Sequence, residues 1–179
     1  MRSPVIATIL TGGMLTLIVG ASDISAQVAS LKIPHSLDVE HHEIFEALEA
    51  ATKSGGKSAE AATKAMQVLK PHFEKEEKFA LPQLGALDML TRANSSVSPE
   101  VRDDLAARAE KFRAELPAML EEHKKISSAL HDMAEAAGAE HKTDVAQLAE
   151  RIMAHAEMEE SVLYPASLLT GVAAQAQGR

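Results

Sequence analysis

Apolar residues recur at intervals of three and four along most of this chain, the spacing that places them on one face of an α-helix. Four such stretches stand out, roughly 36–53, 58–86, 99–137 and 143–170. The first carries Leu37, Ile44 and Leu48, and the second Val68, Leu69 and Phe79. The third carries Leu116, Met119, Leu120, Ile126, Leu130 and Met133; the fourth carries Val145, Leu148, Ile152, Val162 and Leu163. Turn residues divide them at Gly55-Gly56, at Asn94-Ser95-Ser96 within Thr91–Ser98, and at Ala137-Gly138-Ala139. Ser98-Pro99 reads as a helix start, a capping hydroxyl followed by proline at the first helical position. Pro117 lacks the N–H that a helix interior needs, so it should kink or divide the third stretch and set residues 99–116 apart as a separate helix. The expectation is an all-α chain whose helices pair as hairpins, with a four-helix bundle over 34–170 and a flexible tail over 171–179.

The first residues follow another pattern. Arg2 precedes an uncharged apolar run from Val5 to Ala21, and small residues follow up to Ala26. This reads as a secretory signal peptide over 1–26, cleaved after Ala21 or Ala26, which places the mature protein in the periplasm or outside the cell. A retained N-terminal anchor is the alternative, and the only route to a membrane association; a mis-assigned start would leave the protein cytoplasmic.

Composition narrows the chemistry. The 179 residues carry a formal charge of -8 with no basic stripe, which argues against nucleic-acid binding. There is no cysteine, which excludes disulfides, thiolate zinc sites, iron–sulfur clusters and a cysteine nucleophile.

The polar positions inside the periodic stretches repeat. Glu40-His41 is followed by His72 with Glu76-Glu77 four and five residues on, and Pro82 six after Glu76. Glu122-His123 is followed by His155 with Glu159-Glu160, and Pro165 six after Glu159. A spacing of four stacks His72 with Glu76, and His155 with Glu159, on one helix face. His41 and His72 are equidistant from Gly55-Gly56, and His123 and His155 from Gly138-Ala139, so an antiparallel hairpin sets each pair at one height. Two hairpins face to face then bring His41, His72, Glu76, His123, His155 and Glu159 into one layer. A lone His-x3-Glu is usually a surface pair; two copies, each level with another histidine across a turn, point to a metal site. Imidazole with carboxylate suits iron, manganese or zinc, and paired bundle-core sites are typically di-iron or di-manganese.

Other candidates are set aside. His42 points about 100° away from His41, His35 precedes the first helix, His131 lies two turns past His123, and His141 falls in a loop. Glu77 and Glu160 read as surface groups or as supports for the ligands. Tyr164, five residues past Glu159, falls off the ligand face and reads as a packing residue rather than a proton donor or radical site.

Glu-His-x2-Ile in the first and third helices and His-x3-Glu-Glu-x5-Pro in the second and fourth resemble the hemerythrin-like (HHE cation-binding) family over about residues 36–166. The resemblance implies an antiparallel up-down-up-down bundle around an oxygen-bridged non-haem pair of iron ions, manganese or zinc being the lesser alternatives. His41, His72, His123 and His155 would be terminal ligands, and Glu76 and Glu159 would bridge. Oxygen-carrying hemerythrins have a further histidine one turn after the third-helix ligand, where this chain has Ser127. The chain thus resembles a four-histidine branch linked to peroxide, nitric oxide or iron handling rather than bulk oxygen transport. The expected function is a di-iron protein meeting oxygen, hydrogen peroxide or nitric oxide in stress response or iron handling. A non-catalytic iron or oxygen sensor, or a metal store, is the alternative reading.

Overall fold

The computed structural model describes residues 31–92 and 97–177; the segment 1–26 read as a signal or anchor lies outside them. Helix α1 spans His35–Thr52 and α2 spans Gly56–Phe79. A 3-10 turn, Pro82–Ala86, leads into the short α3, Leu87–Thr91. Helix α4 runs from Pro99 to Ala139 and α5 from Thr143 to Met158; a π turn, Glu159–Leu163, then joins α5 to α6, Tyr164–Ala176. Among the described residues there is no strand, and no described helix is long and apolar enough to cross a membrane. The result is the expected antiparallel four-helix bundle, formed by α1, α2, α4 and the run from α5 through α6.

The core is divided by depth. Between the two hairpin turns and the histidines lie Ile44, Leu48, Leu69, Phe73, Ile126, Leu130, Met133 and Ile152, all buried. Beyond the histidines lie Leu37, Leu81, Phe112, Met119 and Tyr164. A third cluster, with Val101, Leu105 and Ala174, joins the first turns of α4 to the end of α6. Each fully buried side chain of this size is worth about 1.5–3 kcal/mol relative to exposure, so these layers carry the stability and the polar layer between them is held in place by its neighbours.

Four sequence expectations change. Pro117 does not divide the third helix: α4 continues from Pro99 to Ala139 through it. Pro117 and Arg113, whose carbonyl loses its i+4 donor, are both exposed, so water can satisfy that carbonyl. Pro71 sits inside α2 on the same terms, with Gln67 exposed. The second stretch ends at Phe79 rather than near 86, because Pro82 offers no N–H and the Glu76 carbonyl accepts both Ala80 N–H and Leu81 N–H at 2.9 Å. Ser167 Oγ of α6 donates to the freed Ala80 carbonyl, which seals the break inside the protein.

The second turn is displaced as well. Gly138 stays helical, and His141, at φ 56°, takes the left-handed position instead. Lys142 N–H donates to Ala137 O at 2.9 Å and His141 N–H to Gly138 O at 3.1 Å, the paired bonds of a Schellman stop. Finally, residues 171–176, expected as tail, are the last turns of α6, with Gly171 and Ala174 buried. A Cβ on Gly171 would stand 2.4 Å from Ala109 Cβ, so its missing side chain is what lets α6 approach α4.

The two turns are clasped together. Glu140, just past α4, accepts from Lys57 N–H at 2.6 Å and Ser58 Oγ at 2.6 Å, capping the first turn of α2 from the other hairpin. Lys142 Nζ donates to the carbonyls of Ser54 and Gly55 at 3.1 and 2.5 Å. Gly56, at φ 72°, leaves room for this: a Cβ there would meet Glu140 Oε1 at 2.3 Å.

Candidate metal centre

The bundle brings all six expected residues together. His41, His72, Glu76, His123, His155 and Glu159 are each no more than 4% exposed and share one layer between the two apolar clusters. Their donor atoms form two groups: His72, Glu76, His123 and Glu159 in one, and His41, His155 and Glu159 in the other, with the atoms of each group within 4.8 Å of one another. Each group therefore takes one histidine from each hairpin. His155 Nε2 lies 2.9 Å and His41 Nε2 3.5 Å from Glu159 Oε1, while His123 Nε2 lies 3.5 Å from Glu159 Oε2. Glu159 thus presents one oxygen to each group. Glu76 does so more loosely, with Oε1 3.4 Å from His72 Nε2 and Oε2 3.8 Å from His41 Nε2.

These spacings suit cations. Two donors about 2.0–2.2 Å from a shared ion, when adjacent in its shell, are about 2.9–3.6 Å apart. Several of the inward atoms, His41 Nε2, His155 Nε2, Glu76 Oε2 and Glu159 Oε1, are buried without a hydrogen-bond partner. Unsatisfied buried polar atoms of this kind are costly, and a cation is the group that satisfies imidazole nitrogen and carboxylate oxygen alike.

The outer ring nitrogens explain how the histidines are aimed. His41 Nδ1 donates to Glu77 Oε1 at 3.2 Å, His72 Nδ1 to Glu122 Oε2 at 3.1 Å, and His123 Nδ1 to Glu160 Oε1 at 2.7 Å. His155 Nδ1 stands 3.3 Å from Glu40 Oε1 without forming an aligned hydrogen bond. A carboxylate on Nδ1 fixes the proton there and leaves Nε2 bare toward the centre, the tautomer a metal needs. The glutamate after each layer carboxylate serves the first histidine of its own hairpin. The glutamate before each first histidine reaches across to the other hairpin. Glu122 is also paired with Lys75. Glu77 and Glu160 thus support the layer histidines; Glu40 and Glu122, visible in the repeated Glu-His pair, had no role in the sequence reading. Phe73 braces His41 by stacking, with ring centroids 3.9 Å apart.

Electrostatics separate the two layer carboxylates. Burial, then the facing Glu159, pushes the Glu76 carboxyl above its ordinary range. Burial works the same way on Glu159, but the facing imidazoles of His123, His155 and His41 outweigh it and hold that carboxyl well below. Burial opposes charge on His41, His123 and His155, yet the facing glutamates raise all three above the usual imidazole value.

Tyr164 overturns its sequence reading. It is 1% exposed, and its hydroxyl enters the layer, donating to Glu76 Oε1 and lying 3.2 Å from His123 Nε2 and 3.4 Å from His72 Nε2. Regular α-helix rotation would carry it about 140° away from Glu159. The π turn closes i→i+5 instead, with Tyr164 N–H on the Glu159 carbonyl, and swings the ring back to the ligand face. Leu81 N–H on the Glu76 carbonyl repeats that bond in the other half. Glutamate with proline six residues on was the available signal.

The remaining histidines stay outside. His42 pairs at the surface with Glu46 at 3.2 Å. His131 is exposed and donates to the Ser127 carbonyl at 2.8 Å. His35 and His141 are exposed too.

The hemerythrin HHE cation-binding domain matches residues 32–167, and the chain belongs to that family. No curated protein matches the chain, and no solved structure does.

Proposed function

We propose that the chain holds two iron ions on His41, His72, Glu76, His123, His155 and Glu159, and that this pair meets small oxidants: oxygen, hydrogen peroxide or nitric oxide. The observation that carries the reading is a layer of six inward-facing donors, split into two groups that share Glu159 and lie between apolar clusters. Manganese and zinc accept the same donor types; iron is favoured by the family. Iron would supply reversible one-electron chemistry and an open coordination position.

The chain's own contributions follow from its geometry. The outer glutamates fix three of the four imidazoles, His41, His72 and His123, with Nε2 turned inward. Glu159, and more loosely Glu76, span the two groups. The packed clusters on either side exclude bulky reactants, so a diatomic gas or a peroxide suits the layer while an organic substrate does not. Tyr164 holds its phenolic proton toward Glu76 Oε1, beside the His72–His123 group. In cellular terms the reading is stress response or iron handling outside the cytoplasm, the location suggested by the residues before Ala26.

Loading with ferrous iron without air, counting the metal, and then adding each oxidant tests this. Two irons per chain and a change in visible absorption with at least one oxidant are expected. Failure to bind iron would refute the proposal. Binding without any consumption of oxidant would leave the sensor or storage reading in its place.

A further inference from the structure

We propose that Tyr164 is itself a metal ligand, supplying a phenol oxygen to the ion held by His72 and His123 and making the two metal positions chemically unequal. This rests on the reading that the layer binds iron. The Tyr164 hydroxyl lies 3.2 Å from His123 Nε2 and 3.4 Å from His72 Nε2, and is hydrogen bonded to Glu76 Oε1. These separations match those of neighbouring donors in one coordination shell, about 2.9–3.6 Å for bonds of about 2.0–2.2 Å. His72 Nε2, His123 Nε2 and Tyr164 Oη therefore mark three corners around one point, and the short hydrogen bond holds the hydroxyl against Glu76 beside them.

The ring is fixed for the purpose. Phe112 packs edge-on against it at 5.2 Å and His123 stacks beside it at 5.5 Å, so the hydroxyl has little freedom to leave. The π turn before it is what aims it there, and such turns are frequent at functional sites. Tyr164 is the chain's one tyrosine, so the other group, His41, His155 and Glu159, has no phenol of its own. One ion would thus be held by two imidazoles, carboxylates and a phenol oxygen, the other by two imidazoles and carboxylates. On binding ferric iron, the Tyr164 O–H bond breaks, its proton passes to water, and an oxygen–iron bond takes its place; no electron moves. An added anionic oxygen favours the ferric state of that ion over its neighbour.

The test uses the full chain loaded with iron and oxidised. A phenolate bound to ferric iron gives a visible charge-transfer band, and resonance Raman excited in that band shows phenolate ring modes. The wild type is expected to show both. Tyr164→Phe should lose both while still holding iron, since phenylalanine keeps the packing against Phe112. Iron bound by the wild type without phenolate modes overturns the ligand role and leaves the six-residue centre standing. The same modes persisting in Tyr164→Phe overturn it too. A wild type that binds no iron overturns both readings. The wild-type spectrum decides the matter even if the variant folds poorly.

Discussion

Glu140 and Ser58 lie 82 positions apart, yet the carboxylate of one accepts from both the backbone N–H and the hydroxyl of the other, at 3.3 and 2.6 Å. This contact joins the turn of one hairpin to the turn of the other, at the end of the bundle farthest from Tyr164. Hydrogen bonds from Ser58, then Lys142 and the Lys57 backbone, hold the Glu140 carboxyl down at about 2 against an ordinary 4.5. Folding therefore favours the ionised form. Its contribution is fully present above pH 4.5 and is lost as pH falls toward 2. Urea midpoints of wild type and Glu140→Gln, measured with chelator, should differ most above pH 5 or so and converge near the acid end. A difference independent of pH would contradict the role of this carboxylate's charge.

Gly56→Ala tests the same clasp from the other side. The positive φ alone should cost about 1–2 kcal/mol, and the new Cβ would displace the Glu140 carboxylate. Combined with Glu140→Ala, its effect should be less than additive, because the second change removes the side chain the methyl displaces. Strict additivity in denaturant titrations would show that the two residues act apart.

Metal and stability should be linked, because the layer's orphaned donors gain partners only when a cation is present. At free metal about 100 times its dissociation constant, one site adds about 2.7 kcal/mol, or about 5–10 °C in Tm for a chain of this size. Calorimetry with iron and with chelator measures the shift. His72→Ala and His155→Ala should each lose one metal and much of that gain; unchanged metal content in both would rule out the ligand assignment.

Glu160 is not among the grouped inward donors but accepts a hydrogen bond from His123 Nδ1 at 2.7 Å. Glu160→Ala should weaken metal binding by about 10–100-fold while leaving saturating stoichiometry intact. Competition against a coloured chelator reads the affinity, and elemental analysis reads the count. Equal affinity in variant and wild type would mean the histidine is aimed by packing alone.

Gly171→Leu should separate α6 from α4, since even a first carbon there stands 2.4 Å from Ala109 Cβ and 3.2 Å from the Leu105 carbonyl. A loss of about 1–3 kcal/mol or more in urea denaturation is expected from overpacking. A variant as stable as wild type would show that this helix pair is looser than its contacts suggest.

The fold was legible because four periodic apolar faces and their breaks leave few ways to bury the chain. The pairing of His41 with His72, and of His123 with His155, at equal distance from a turn placed them at one depth before any coordinates. Backbone detail at the prolines was not legible. Pro117 reads as a breaker in one dimension, but whether the Arg113 carbonyl it leaves unpaired lies on the exposed side or in the core depends on the neighbours, and both residues are exposed. His141 in place of Gly138 at the second stop has the same origin, since histidine is among the few non-glycine residues that enter the left-handed region with any frequency, and the paired bonds from His141 and Lys142 hold it there.

The sequence by itself determined that two hairpins would carry a matched set of imidazoles and carboxylates to one level, because helix periodicity and spacing from a turn are local geometry. Only the tertiary structure decided which histidines share a group, which outer glutamate serves which ring, and that Tyr164 enters the layer. Those choices depend on contacts between hairpins and on one widened turn. No local rule counts such a turn, because its i→i+5 bond competes closely with the i→i+4 bond and is chosen by packing.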